Sequence, residues 1–152
     1  MPIPNIDQIL AAGVTGTTQA EAAVGKAWLE KHWQEWDRVE FNVPMGPGVT
    51  LWPGAPDYVV KSAQASTKPR ADIIVWRNQD RSAAIVELKQ RIGGAALGQV
   101  ITYAHLLQAD RPQLVQVYRI VAGASILEGI QPVFDHAGVS VELFPLAVPP
   151  SS

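Results

Sequence analysis

Cysteine is absent from the 152 residues. That removes disulfides and thiolate metal sites. Histidine is scarce: His32, His105 and His136 show no HxxxH-type spacing, so no histidine-based metal centre is expected. Charge is thin at 17%, with a net value of −2. A protein that coats nucleic acid by bulk charge is excluded, while a local basic groove is not. No apolar run approaches the roughly 18 residues needed to span a membrane. The N-terminus, MPIPNIDQIL, lacks the basic start of a secretory signal and carries Asp7 early. A soluble, cytoplasmic protein with no membrane partner is the expectation.

Hydrophobic residues are plentiful, at 47% with five tryptophans, and the length suits one domain with a real core. Residues 1–17 read as a loose or short helical lead-in and 18–148 as a single domain. A helix is expected from Thr18 through AEAAVGKAWLEKHWQEW, where apolar residues recur at three- and four-residue spacing. Arg38–Met45 alternates like a strand and stops at GPG. The Pro- and Gly-rich residues 46–70 read as a long loop with short strands around Val49–Trp52 and Asp57–Lys61, of a length that is often functional. Then come two apolar runs, 71–76 and 83–89, and a helix beginning near Gly94 or Ala95. A strand over Leu114–Val121, a short helix over Ser125–His136 and a last strand over Val139–Leu143 complete the chain. This order predicts an α/β (α+β) fold: a central mixed sheet of four or more strands flanked by helices.

The two apolar runs carry the chemistry. A turn centred between Gln79 and Asp80 pairs Val75 with Ala84, Ile74 with Ile85 and Ile73 with Val86. The next opposed pair is Asp72 and Glu87. Side chains directly across an antiparallel pair stand about 4.5–5.5 Å apart at Cβ, so these two carboxylates repel unless a cation lies between them. A divalent ion with oxygen ligands suits that position. Alternation puts Lys89 on the same face as Glu87, beside the acid pair. Without a cation the three would be strand-end charges reaching solvent, with Glu87 and Lys89 forming a weak surface pair. A one-residue slip of register would put Asp72 on the opposite face.

An acid opening one strand, Glu87-Leu88-Lys89 on the next, and a following helix with Gln99 and Tyr103 in GQVITY resemble the PD-(D/E)xK nuclease superfamily. The Gln-x-x-x-Tyr pair resembles the RecB-type and related archaeal-type branch, and the resemblance covers roughly residues 18–121. Ala71 stands where the family has proline directly before the acid; the literal Pro56–Asp57 is 30 positions before Glu87 and cannot be its hairpin neighbour. The resemblance implies a restriction-endonuclease-like core and hydrolysis of phosphodiester bonds assisted by Mg²⁺ or Mn²⁺. Asp72, Glu87 and the backbone carbonyl of Leu88 would be the metal ligands, and Lys89 would hold the attacking water. Gln99 would reach the water or a phosphate, and Tyr103 would brace the site, although it also fits a core stripe with Val100, Leu106 and Leu107. Glu21 would complete the metal site through a water; Thr18-x-x-Glu21 equally reads as a helix capping box.

Lys61, Lys68, Arg70, Arg77, Arg81 and Arg91 cluster around the hairpin and the segment before it, half of the chain's twelve basic residues. Arg70, Arg91 and Lys68 are the expected phosphate contacts, while Arg77 and Arg81 belong to the turn. Trp52 would stack on a base or, more in keeping with its type, pack. The expected partner is nucleic acid, DNA before RNA, with a homodimer or a place in a larger complex. The competing class is a nucleic-acid-binding or scaffold subunit that keeps the fold without the chemistry.

Overall fold

The computed structural model describes residues 2–145. Its elements in chain order are α1 (Ile6–Ala12), α2 (Gln19–His32), a 3₁₀ turn (Trp33–Glu35), β1 (Arg38–Pro44), α3 (Asp57–Thr67), β2 (Arg70–Arg77), β3 (Ser82–Ile92), α4 (Gly94–Asp110), β4 (Gln116–Ile126), α5 (Gln131–His136) and β5 (Ser140–Leu143). The strands form one five-stranded sheet in the order β1-β2-β3-β4-β5. The β1–β2 and β2–β3 pairs are antiparallel, and β3–β4 and β4–β5 are parallel. This is the expected mixed sheet flanked by helices.

β3 is the central strand, and residues 82–88 are all buried. A strand covered on both faces can be apolar on both, which is why its sequence runs on as AAIV rather than alternating. Its side chains divide between two cores. Ala83 and Ile85, with Ile74 and Trp76 of β2, pack under α4 through Ala96, Val100, Ala104 and Leu107. Ala84, Val86 and Leu88, with Ile73 and Val75, pack under α2 through Val24, Trp28 and Leu29. Ile3 joins the second core, and Ile9 and Leu10 of α1 pack against it.

Several expectations need correction. Residues 57–61 are not a strand: Asp57–Thr67 is a helix, and residues 49–52 pair with nothing in the sheet. Val59 and Val60 suggested a strand, but Pro56 at the N-cap and Asp57 in the first turn start a helix. The half-buried residues 59, 60, 63 and 64 then lie on one helical face. The strand expected over Leu114–Val121 begins at Gln116 and continues to Ile126, because the small residues after Val121 pair along β3 as far as Ile126 with Ile92. Only Gln131–His136 of the helix expected over Ser125–His136 is therefore helical. Trp52 does not pack; 62% of it is exposed. Residues 146–148, at the end of the expected domain, lie outside the described residues. Among the described residues no helix is long and apolar enough to cross a membrane.

Candidate active site

The hairpin register is the expected one: Ile73 pairs with Val86, Ile74 with Ile85 and Val75 with Ala84. One step further, Asp72 stands across from Glu87. The Asp72 carboxylate accepts a hydrogen bond from the Leu88 backbone N–H at 2.8 Å, which fixes it against the strand that carries Glu87. Alternation places Asp72 with Ile74, and Glu87 with Ile85, on the α4 face of the sheet. Leu88 points the other way, into the core under α2.

Glu87 is the one buried acid among the described residues, with 4% of its surface exposed. Burial, then a hydrogen bond that the protonated Glu87 donates to Asp72, and the charge of Asp72, push its carboxyl up to about 10. Lys89, half-buried two residues on, opposes that rise, and Glu21 adds to it. Without a cation, then, burial and the neighbouring carboxylate favour the protonated form of Glu87. The other oxygen of Glu87, Oε2, is buried without a hydrogen-bond partner.

α4 begins just past the end of β3 and brings two more groups over the acids. Burial raises the Tyr103 hydroxyl first, the nearby charges of Glu87 and Asp72 raise it further, and a hydrogen bond with Gln99 partly offsets them. The four-residue spacing places Gln99 and Tyr103 on one helix face. The amide oxygen of Gln99 is buried and has no partner. Two orphaned oxygens, one on the strand and one on the helix, thus accompany the acid pair.

Glu21 comes from the start of α2. Its Oε1 accepts from the Thr18 backbone N–H at 3.1 Å and from the Thr18 hydroxyl at 2.9 Å, and Thr18 Oγ1 accepts from the Glu21 N–H. The capping box is formed, yet Glu21 remains near enough to act on Glu87. Arg70, Lys68 and Arg91 are exposed. Arg70 lies two residues before Asp72, and its guanidinium donates to the Asn42 carbonyl at 3.0 Å.

Asn42 is a position that sequence reasoning missed. The β1–β2 ladder runs from Phe41–Ile73 to Val43–Ala71 and skips Asn42, directly across from Asp72. Its φ of 53° lies in the left-handed region that asparagine tolerates better than most residues. Asparagine is depleted in strands, and that was the available signal.

An oxygen-seeking divalent cation fits this donor set. The two carboxylates are hard ligands, and the orphaned Glu87 oxygen has no competing protein partner. Among the described residues no group of three or more His, Cys, Asp or Glu could hold a metal. The protein would therefore supply two carboxylates and leave the remaining positions to water and substrate, as Mg²⁺ sites commonly do.

No protein-family model and no curated protein matches the chain. Among solved structures, the chain is similar to the crystal structure of a repair endonuclease from Pyrococcus abyssi, with 16% identity and a TM-score of 0.48. The match covers 85% of this chain and 48% of that one, so the chain spans about half that protein's length.

Proposed function

We infer that the chain is a metal-dependent nuclease that hydrolyses phosphodiester bonds, with DNA as the substrate. One observation carries this reading: Glu87 is buried against Asp72 with an unpartnered oxygen, two residues before Lys89 on the same strand. A fold gains nothing from burying an acid beside another acid. A site that concentrates positive charge does.

Asp72 and Glu87, with the Leu88 backbone carbonyl, would hold Mg²⁺ or Mn²⁺. Such an ion, when bound, lowers the pKa of a coordinated water and neutralises charge on the scissile phosphate. Lys89 holds the attacking water by a hydrogen bond and offsets the charge that develops on the phosphate oxygens. Gln99 presents its amide to the water or to a phosphate oxygen. Tyr103 braces Gln99 through their hydrogen bond. Glu21 would reach the ion through a water, with its Oε1 held by Thr18. Arg70, Arg91 and Lys68 contact phosphates on either side.

The test is cleavage of DNA substrates by the purified protein with Mg²⁺ or Mn²⁺. Wild-type protein should nick or degrade at least one substrate, and Lys89→Ala should lose that activity while remaining folded. Undiminished cleavage by both Lys89→Ala and Glu87→Ala would falsify the reading.

A further inference from the structure

Residues 46–70, from the end of β1 to the first residue of β2, are locally basic. They hold Lys61, Lys68 and Arg70 against a single acid, Asp57, whereas the chain as a whole is at −2. They also carry its two most exposed aromatic side chains among the described residues, Trp52 at 62% and Tyr58 at 76%. Burying either ring would be favourable by the hydrophobic effect, and the fold leaves both in solvent.

These rings stand on fixed backbone. Trp52-Pro53-Gly54-Ala55 closes with the Ala55 N–H on the Trp52 carbonyl at 3.3 Å. Proline at the second position and Gly54 at the third, with φ of 86°, are the residues a type II turn requires. Pro56 then caps α3, its carbonyl accepting from Val59 and Val60 at 2.9 and 3.0 Å. Trp52 and Tyr58 therefore flank a turn and a helix start that two prolines hold.

The whole segment is tied down as well. Val49 N–H donates to Thr67 Oγ1 at 2.8 Å and Met45 N–H to the Pro69 carbonyl at 2.9 Å. Gly48 lies so close to α3 that an added Cβ would stand 2.3 Å from the Gln64 carbonyl oxygen. On α3, Tyr58, Lys61, Ser62 and Ala65 are exposed along one side, Asp57, Ser66 and Thr67 are exposed at its two ends, and the exposed Lys68 follows. From Lys68 to Asp72 the chain spans at most about 14 Å. The basic series thus leads into the strand that carries the first candidate acid.

Fixed, solvent-facing rings beside spaced cations are what an unpaired nucleic acid strand needs. Its bases offer faces for stacking, and its phosphates recur at regular intervals. A duplex hides those faces. We propose that the segment between β1 and β2 is a platform for single-stranded DNA: Trp52 and Tyr58 stack on bases, and Lys61, Lys68 and Arg70 conduct the backbone to Asp72 and Glu87. This rests on the nuclease reading for the direction of the strand, and it names the form of substrate the site receives.

Binding in EDTA separates the two ideas, because it needs no cleavage. The probe is a fluorescently labelled oligo(dT) of about twelve nucleotides, within the range that small single-strand sites occupy. Its anisotropy reads affinity, and acrylamide quenching of the protein reads the exposure of Trp52. The wild-type chain should bind the single strand more tightly than a blunt duplex of equal length and lose acrylamide quenching when it does. Trp52→Ala with Tyr58→Ala should weaken single-strand binding about 30-fold or more, and Trp52→Phe with Tyr58→Phe should restore most of it. Lys61→Ala with Lys68→Ala should lower the salt slope of binding by about 1.4, the value for two single-strand phosphate contacts. Equal affinity for both DNA forms, or single-strand binding that the double alanine variant retains, overturns the platform. So does loss of quenching on concentration of the protein alone, which would make the rings a protein interface. If single-strand binding follows the rings but Lys89→Ala and Glu87→Ala both cut DNA like wild type, the reading of Asp72, Glu87 and Lys89 as the nuclease site falls and the platform stands.

Discussion

The two ends of the β2–β3 hairpin carry acids in opposite circumstances. At the turn, Asp80 accepts from Arg77 at 2.9 Å and from the Ser82 hydroxyl at 2.6 Å, and its carboxyl is held down to about 2. Arg77 also lies over the Trp36 ring, and Arg38 and Arg111 both lie over Trp76. Charges there meet partners. At the open end, Glu87 is buried against a second acid, keeps one oxygen without a partner and is pushed up to about 10. One hairpin shows both ways a protein can treat a carboxylate. The turn end uses its acid to close the structure, and the open end buries its acid beside another.

That contrast predicts a graded series of effects. The largest belongs to Lys89→Ala: cleavage should fall about 10²- to 10³-fold or more, the scale of losing one charge-stabilising group, with little change in the thermal midpoint. Next is the cation. At roughly a hundred times its Kd, Mn²⁺ should stabilise the folded chain by about 2.7 kcal/mol, and Glu87→Gln should erase the effect. A thermal melt with and without Mn²⁺ reads both variants.

A smaller effect concerns pH with EDTA present. An unfolded glutamate ionises near 4.5, whereas Glu87 in the folded chain holds its proton to about 10. Between those values the folded state binds the extra proton. Its contribution to stability is complete below about 4.5 and is lost as pH rises towards 10. Glu87→Gln should flatten that decline and raise stability at about pH 8 by at least ~1 kcal/mol, since a tenfold change in proton affinity already amounts to about 1.4 kcal/mol. Denaturant melts across pH give the comparison. The smallest effect belongs to Asp80→Asn. Its depressed carboxyl contributes stability above the unfolded value of 3.8 that is lost as pH falls through about 2. This acid is fully exposed, so high salt should hide the loss.

The sheet's centre was legible because two cores leave little freedom. Six apolar residues of β3 and five of β2 admit one register that buries them all, and that register places Asp72 against Glu87. The Thr18 and Glu21 pair was legible as a capping box for a local reason: three residues decide it. Trp52 and the helix beginning at Asp57 were misread because local preference gave the wrong answer. Val59 and Val60 favour strands, but with β1 ending at Pro44 and β2 beginning at Arg70 the sheet has no place for them. The small residues Ala122, Gly123 and Ala124 carry no period at all, and only their pairing with β3 makes them a strand. Asn42 was passed over for a related reason: its place across from Asp72 is set by the β1–β2 pairing and not by its neighbours in sequence.

The most direct test is a titration of the metal-free protein with Mn²⁺, read by the electron paramagnetic resonance of the free ion. Wild-type protein and Asp80→Asn should remove Mn²⁺ from solution alike, while Asp72→Asn and Glu87→Gln should each lose that binding and stay folded. Equal uptake by all four would mean that the two facing acids do not share a cation, and the reading of the open end as a metal-dependent site would be wrong.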